Sequence, residues 1–160
     1  MLTIREMLPG DADSKGYVHY TSWQETYPGL VASSYLSRMS LERCQEIAQR
    51  RPEGTLLAQL DGKTVGFSCY GTNPSGQQEL FALYLLKEAQ GLGIGRKLMD
   101  ASIQRMDAKR PIYLWVLKGN AHAIGFYEHY GFRLNGIQQE IILGTPNTEL
   151  RMILERPEPL

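Results

Sequence analysis

The sequence is poor in cysteine, has no long apolar run and has no excess of charge of either sign. Its two cysteines, Cys44 and Cys69, are too few for a disulfide framework, so free thiols are expected. No stretch approaches 18 uninterrupted apolar residues, and residues 1–6 lack the basic and apolar segments of a signal peptide. These absences exclude a disulfide-stapled fold and predict a cytoplasmic protein with no membrane partner.

The charge balance argues against binding to a polyanion. Lys plus Arg and Asp plus Glu both number 17, so no net field gathers nucleic acid along the surface. A small phosphate-bearing ligand remains compatible, because a helix N-terminus binds phosphate through backbone N–H groups without net positive charge. His19, His122 and His129 form no metal motif with the cysteines, so no bound metal is expected.

Length and composition predict one globular domain that spans residues 1–160. The chain is 42% hydrophobic and 21% charged, which is a globular balance. At this length a domain buries roughly two thirds of its unfolded surface without metals or disulfides. No repeat or interdomain linker divides the sequence.

Hydrophobic periodicity predicts seven strands and four helices. The Asp61-Gly62 pair between two β-rich runs predicts a hairpin with a type I′ turn. The order of elements describes an α+β sheet with one strand-helix-strand crossover in its middle. The predicted strands are 2–6, 55–60, 64–70, 79–86, 112–117, 137–143 and 148–154, and the helices are 12–27, 41–50, 98–106 and 121–130.

Three finer predictions concern burial. In the first helix, Gly16 or Tyr17, then Tyr20, Trp23 and Tyr27 recur at helical spacing and predict one aromatic face. The second helix is expected to bury Leu41, Cys44, Ile47 and Ala48. The nearly continuous apolar run at 79–86 predicts a strand that is covered on both faces.

A glycine-rich stretch separates that strand from the third helix. It reads Gln90, Gly91, Leu92, Gly93, Ile94, Gly95, Arg96. Small residues let a phosphate approach the backbone, the helix N-terminus adds partial positive charge, and two cationic side chains stand nearby. A dinucleotide loop needs a third glycine and a P-loop needs Gly-Lys-Ser/Thr, so neither fits. On spacing alone, a purely structural turn remains an alternative.

Residues 79–132 resemble the core of the GNAT superfamily, the acyl-CoA-dependent N-acyltransferases. Gln90, Gly93 and Gly95 match its Gln/Arg-x-x-Gly-x-Gly/Ala signature. A second motif matches with one residue of difference in the ideal spacing, through Asn120, Ala121, Ala123, Phe126, Tyr127, Gly131 and Phe132. The resemblance implies an α+β, GNAT-like single domain with a mixed central sheet, splayed parallel strands and helices on both faces.

The resemblance also implies acetyl-CoA as cosubstrate. Pantetheine would pair with the backbone at Leu83 and Leu85, the diphosphate would lie over residues 90–96, and Asn120 would hydrogen-bond the cofactor. Tyr127 matches the position of the general acid that protonates the departing thiolate, and would contact the cofactor there. The alternative is that Tyr127 only packs in its helix.

A protonated amine needs a base before it can attack a thioester. Glu79 matches the strand position of the catalytic carboxylate in some members, and a solvent-facing strand-end glutamate is the alternative. His19 and His129 are expected to pack or lie at the surface, and Cys69 to be a structural thiol.

The function expected from these features is transfer of acetyl to a primary amine, small molecule or peptide, by direct attack in a ternary complex. Two other classes stay open. One is a non-catalytic acyl-CoA sensor, and the other is a structural loop on a protein-association domain. Dimerisation is common among members of the family, so a homodimer stays open beside a monomer.

Overall fold

The computed structural model describes residues 1–156 and folds them into one sheet flanked by helices. Two 3-10 segments, Pro9–Asp11 and Lys87–Ala89, lie between larger elements. The strands are β1 Leu2–Glu6, β2 Thr55–Leu60, β3 Lys63–Thr72, β4 Gln78–Leu85, β5 Ile112–Leu117, β6 Arg133–Leu143 and β7 Thr145–Leu154. The α-helices are α1 Ala12–Thr26, α2 Ser33–Arg38, α3 Leu41–Arg50, α4 Ile94–Gln104 and α5 Ala121–Tyr130.

The seven strands pair in the order β1-β2-β3-β4-β5-β7-β6. Only β4 and β5 run parallel; the other described neighbours are antiparallel. The parallel pair is the crossover that carries α4. The β2–β3 hairpin is confirmed, with Asp61 at φ 52° and Gly62 at φ 83°, as a type I′ turn requires.

The parallel strands separate soon after they meet. Pairing between β4 and β5 covers Gln78 with Ile112 and Glu79 with Tyr113, and extends no further. On its other side β4 carries a bulge, because Ala82 pairs with Cys69 while Leu80 already pairs with Tyr70. The extra residue is Phe81. A bulge bends its strand and increases the local twist, so β4 turns away from β5 and leaves a wedge.

Helices cover both faces of the sheet. Phe67 and Ser68 are neighbours on β3, so their side chains point to opposite faces. The ammonium of Lys15 on α1 lies 4.5 Å from the centre of the Phe67 ring. Ser68 shares a 2.6 Å hydroxyl–hydroxyl hydrogen bond with Ser102 of α4. α1 and α4 therefore sandwich the centre of the sheet, which confirms the mixed α+β architecture.

The bounds of most elements agree with the sequence prediction, with two differences. α2 was not predicted, because its six residues carry no more than one buried apolar side chain, Leu36, and so no periodic pattern. The last hairpin is longer than predicted, since β6 begins at Arg133 and β7 at Thr145. The pairing between β6 and β7 continues to Leu143 and Thr145, which lie beyond the residues that show hydrophobic alternation in the sequence.

Three burial predictions were wrong in part. Tyr17 is 45% exposed, because the α1 face that packs on α3 and the sheet carries small and aliphatic groups such as Gly16 and Val18. Ile47 of α3 is 39% exposed, beyond the reach of the cluster that holds Ala48. β4 is fully covered only through Leu80; beyond it the strand borders the wedge, and the next residue is 49% exposed.

Candidate active site

A cavity of about 360 Å³ fills the wedge between β4 and β5. Its walls come from both strands, from the C-terminal end of α1, from α5 and from the β6–β7 hairpin. The lining is rich in aromatic side chains: Trp23, Tyr27, Phe81, Tyr84, Trp115, Phe126 and Tyr127. Its polar and ionisable side chains are Thr26, Glu79, Gln90, Asn120, His122 and Glu149.

The cavity brings together six of the residues predicted from the sequence: Glu79, Leu83, Leu85, Gln90, Asn120 and Tyr127. The other six, residues 91–96, do not line it. They continue directly from Gln90 as the turn into α4. The predicted site residues thus form a continuous surface of cavity wall and adjoining loop.

The glycine-rich turn presents an uncapped helix start. Gly93 is the N-cap of α4 at φ 78°, and Gly91 has φ 79°, a backbone region that favours glycine. No side chain caps α4, so the first N–H groups of the helix lack an intrahelical partner. A Cβ at Gly91 or Gly93 would meet no atom within 4 Å, so the space over the turn is open.

The residues after Gly93 divide between core and surface. Ile94 and Gly95 are buried, and a Cβ at Gly95 would come within 3.3 Å of Leu85 and Phe126. That close approach holds the helix start against β4 and α5. Arg96 is exposed, with its guanidinium carbon 5.3 Å from the centre of the Tyr130 ring. The turn therefore combines backbone donors with a nearby cation, which suits a phosphate ligand.

β4 supplies the long wall of the cavity. Its pairing with β5 ends at Glu79, so the side of residues 80–85 that faces β5 has no strand partner among the described residues. Such an edge presents N–H and C=O groups to an extended ligand. Across the wedge, Asn120 accepts a hydrogen bond from the Ala123 amide at 3.2 Å through Oδ1 and so caps α5. Its amide nitrogen is left for the cavity.

Tyr127 lies in the α5 wall and is 9% exposed. Burial chiefly, and the nearby Tyr27, raise the pKa of its phenol well above the usual value. The phenol therefore stays protonated and acts as a hydrogen-bond donor at neutral pH. No described residue accepts that hydrogen bond, although buried hydroxyls usually have a partner.

A pair of tyrosines faces Tyr127 from α1 and β4. The hydroxyls of Tyr27 and Tyr84 are 3.0 Å apart. Burial raises the pKa of both phenols. At Tyr27 the hydrogen bond with Tyr84 lowers the pKa, and the negative charge of Glu149 raises it. Tyr27 and Glu149 both line the cavity.

Glu79 is buried and ion-paired. Its Oε1 accepts hydrogen bonds from Arg151 Nη1 at 3.1 Å and from Asn73 Nδ2 at 3.0 Å. Arg151 is itself held by Gln77 and by the Trp115 ring, whose centre lies 4.6 Å from the guanidinium carbon. The charge of Glu79 is therefore compensated inside the protein, while Oε2 takes part in neither contact.

The prediction missed the contribution of β7. Glu149 and Arg151 are two residues apart, so both side chains lie on the same face of the strand. They stand opposite Leu117 and Trp115 of β5 in the ladder. The alternation of charge within residues 148–154 could have shown that the two side chains share a face. Only the strand pairing brings that face to the cavity.

Two further features are absent from the described residues. No helix within residues 1–156 has the length and apolarity needed to cross a bilayer. The same residues contain no group of three or more His, Cys, Asp or Glu side chains placed to hold a metal ion. The cytoplasmic location and the absence of a metal stay predictions.

Solved structures share this architecture and show which fold the chain adopts. The PaiA N-acetyltransferase of Thermoplasma acidophilum, determined in complex with coenzyme A, superposes with a TM-score of 0.80 over 97% of this chain and 99% of that chain, at 22% identity. The ribosomal-protein-S18-alanine N-acetyltransferase of Escherichia coli superposes with a TM-score of 0.71 over 100% of this chain and 99% of that chain, at 21% identity. The fold is that of the N-acetyltransferases.

The sequence itself shows the family. The model described as Acetyltransferase (GNAT) family matches residues 18–132, and this chain belongs to that family. The N-acetyltransferase YuaI of Bacillus subtilis is 30% identical over an alignment of 174 residues that covers 98% of this chain and 100% of the relative. The spermine/spermidine N(1)-acetyltransferase of Bacillus subtilis is 32% identical over 111 residues, which cover 62% of this chain and 70% of the relative. The protein is an acetyltransferase.

Proposed function

We propose that this acetyltransferase binds acetyl-CoA in the wedge between β4 and β5 and transfers the acetyl group to a primary amine by direct attack in a ternary complex. One observation carries the proposal. The unpaired edge of β4 leads directly to the uncapped, sterically open start of α4. An extended arm with amides and a diphosphate at its end matches both features in that order. The coenzyme A complex of the Thermoplasma structure supports it.

Cofactor binding is proposed to use the residues predicted from the sequence. The diphosphate takes backbone N–H groups from residues 91–96, with Arg96 adding a full charge. Pantetheine amides pair with β4 near Leu83 and Leu85, where side-chain identity matters little. Gln90 and the free amide nitrogen of Asn120 line the cavity at this end. The thioester is then placed deep in the wedge.

In the transfer step, the amine nitrogen forms a bond to the thioester carbonyl carbon, and the resulting tetrahedral intermediate expels coenzyme A as a thiolate. N–H groups of the open β4 edge stabilise the developing oxyanion. Tyr127 donates its phenolic hydrogen bond to the departing sulfur. Because burial raises the pKa of Tyr127, the phenol still carries its proton when the thiolate begins to leave and can pass it to the sulfur as the general acid.

The amine must lose a proton before or during attack, and Glu79 is the proposed acceptor of that proton, directly or through water. Arg151 and Asn73 both donate hydrogen bonds to Oε1 of this carboxylate. They also fix the orientation of the carboxylate at the cavity wall, and Oε2 is left to meet the amine.

The deciding experiment follows free thiol while the purified protein is mixed with acetyl-CoA and a panel of amines and N-terminal peptides. We expect thiol release that depends on both substrates, and acetylated amine in equal amount by mass spectrometry. Tight binding of coenzyme A without thiol release from any amine or peptide would favour the acyl-CoA sensor instead. Failure to bind coenzyme A in calorimetry would contradict both.

A further inference from the structure

The cavity carries one glutamate charge that no lysine or arginine among the described residues neutralises in an ion pair. Two glutamates line the cavity, and no lysine or arginine is among its described lining residues. Glu79 is paired with Arg151 at 3.1 Å. Glu149 instead accepts a hydrogen bond from the neutral amide of Gln139 at 2.9 Å through Oε1. None of the ion pairs among the described residues includes Glu149.

The surroundings of Glu149 favour a cation. The residue is half-buried on β7, opposite Leu117 of β5, so its charge is only partly screened by water. The neighbouring wall is aromatic, with the rings of Trp23 and Tyr27 4.6 Å apart, centre to centre. Aromatic faces next to a carboxylate attract ammonium groups through the ring quadrupole and repel anions.

We propose that Glu149 determines acceptor specificity by binding a second ammonium group of the acceptor, one that is not acetylated. The acceptor class is therefore an aliphatic diamine or a longer polycationic amine. An amine with a carboxylate at its far end is disfavoured by the same charge. This inference rests on the proposed acetyl transfer, and it assigns to Glu149 a positioning role that is separate from the roles of Glu79 and Tyr127.

The experiment compares three acceptors of equal length that differ only at the far end: 1,4-diaminobutane, butylamine and 4-aminobutanoate. We expect kcat/KM to be highest for the diamine and lowest for the amino acid. In Glu149→Gln the preference for the diamine over butylamine should shrink by about tenfold, chiefly through KM, as for an ion pair in a partly buried cavity. Added salt should weaken the wild-type preference in the same direction.

The matched control is Glu140→Gln. Glu140 is exposed on β6 of the same hairpin, pairs with Thr148 and does not line the cavity. The Glu140→Gln substitution removes the same net charge as Glu149→Gln, so an effect of overall charge would appear in both variants. The inference requires that Glu140→Gln keep the wild-type preference and that Glu149→Gln bind coenzyme A as tightly as the wild type.

Several outcomes would overturn the inference while leaving acetyl transfer intact. One is a wild type that prefers butylamine or 4-aminobutanoate, and another is an unchanged preference in Glu149→Gln. A third is a fall in kcat with unchanged KM, which would assign Glu149 to proton transfer instead. If none of the three amines turns over, calorimetry measures the binding of 1,4-diaminobutane to the coenzyme A-loaded protein. Weaker binding to Glu149→Gln than to the wild type would support the inference, and equal binding would reject it.

Discussion

Tyr127 places a phenol in the cavity wall with no hydrogen-bond partner among the described residues. A hydroxyl at a cavity wall is available to a ligand that can accept its hydrogen bond. The proposed acceptor is the sulfur of coenzyme A, whose charge develops during the reaction.

Replacing Tyr127 with Phe keeps the ring and removes the donor. We expect turnover to fall by roughly 100-fold, at the lower end of acid–base effects, while the Kd of coenzyme A changes little. Stopped-flow thiol detection and calorimetry measure the two quantities. Tyr130→Phe is the control, because it removes another α5 hydroxyl, bonded to Asp100. Equal losses of affinity and turnover in Tyr127→Phe would contradict the assigned role.

Glu79→Gln tests the proposed base. If Glu79 accepts the amine proton, turnover at neutral pH should fall and should recover as pH rises and the free amine becomes abundant. The pH profile of kcat/KM measures this recovery. Because the substitution also leaves Arg151 without its buried partner, thermal unfolding must accompany the kinetics. A pH-independent loss would assign Glu79 a structural role.

His19 gives the fold a pH dependence. Burial chiefly, with the charge of Lys15, lowers the pKa of its imidazole to about 4, and Nδ1 has no partner among the described residues. The unfolded chain, with a histidine pKa near 6.5, binds this proton more readily than the folded chain. The stability that His19 contributes above pH 6.5 is therefore lost as pH falls from about 6.5 towards 4, by on the order of 3 kcal/mol.

His19→Phe removes that titration and preserves a ring against Trp23 and Phe67. We expect its free energy of unfolding to fall less steeply between pH 6.5 and 4 than that of the wild type. Urea denaturation across this range measures the difference. His129→Gln, at an exposed position of α5, should keep the wild-type slope. Parallel curves for wild type and His19→Phe would contradict the burial argument.

At the scale of elements, the decisive features are where β4 leaves β5 and where α4 begins. The bulge at Phe81 bends β4 and ends the parallel pairing after two residue pairs. The wedge that results ends at a helix start with no side-chain cap. Two departures from regular structure therefore shape this region: one in a strand, which opens the cavity, and one at a helix N-terminus, where the space over the turn is open.

Gly93→Ala tests the helix start. At φ 78° an alanine costs roughly 1–2 kcal/mol, and its methyl group enters the space left open over the turn. We expect the Kd of coenzyme A to rise by at least about tenfold, and Gly93→Glu to abolish binding. Gly125→Ala in the interior of α5 is the control, with unchanged affinity and equal or higher stability. Unchanged affinity in Gly93→Ala would place the diphosphate elsewhere.

At the scale of the whole molecule, the cavity joins parts of the chain that are far apart in sequence. α1, β4, β5, α5 and β7 all contribute lining residues. A ligand that bridges these elements binds the folded chain and not the unfolded one, so it should stabilise the entire domain.

Coenzyme A at 100 times its Kd should add about 2.7 kcal/mol to the free energy of unfolding. For a domain of this size that corresponds to a rise in Tm of roughly 5–10 °C. Differential scanning calorimetry measures the shift, and pantetheine without the diphosphate should give a smaller one at equal concentration. Equal shifts for the two compounds would argue against a phosphate site at the α4 start.

The sequence by itself determined the strands, four of the helices, the Asp61-Gly62 turn and the glycine-rich helix start. Each depends on local backbone preference or on periodicity within about ten residues. The residues of the cavity wall on β4 and α5 were also found, since a motif of short span carries them. α2 was missed because six residues with little apolar content have no periodic pattern.

Tertiary structure alone decided the charge of the cavity. That Arg151 neutralises Glu79, 72 positions earlier, follows from the sheet order β4-β5-β7, which no local pattern specifies. The same order brings Glu149 to the wedge without a cationic partner. Local propensities fix which residues share a strand face, whereas long-range pairing fixes which face meets which. For that physical reason the sequence predicts a cofactor site, whereas the proposed acceptor site follows from the fold.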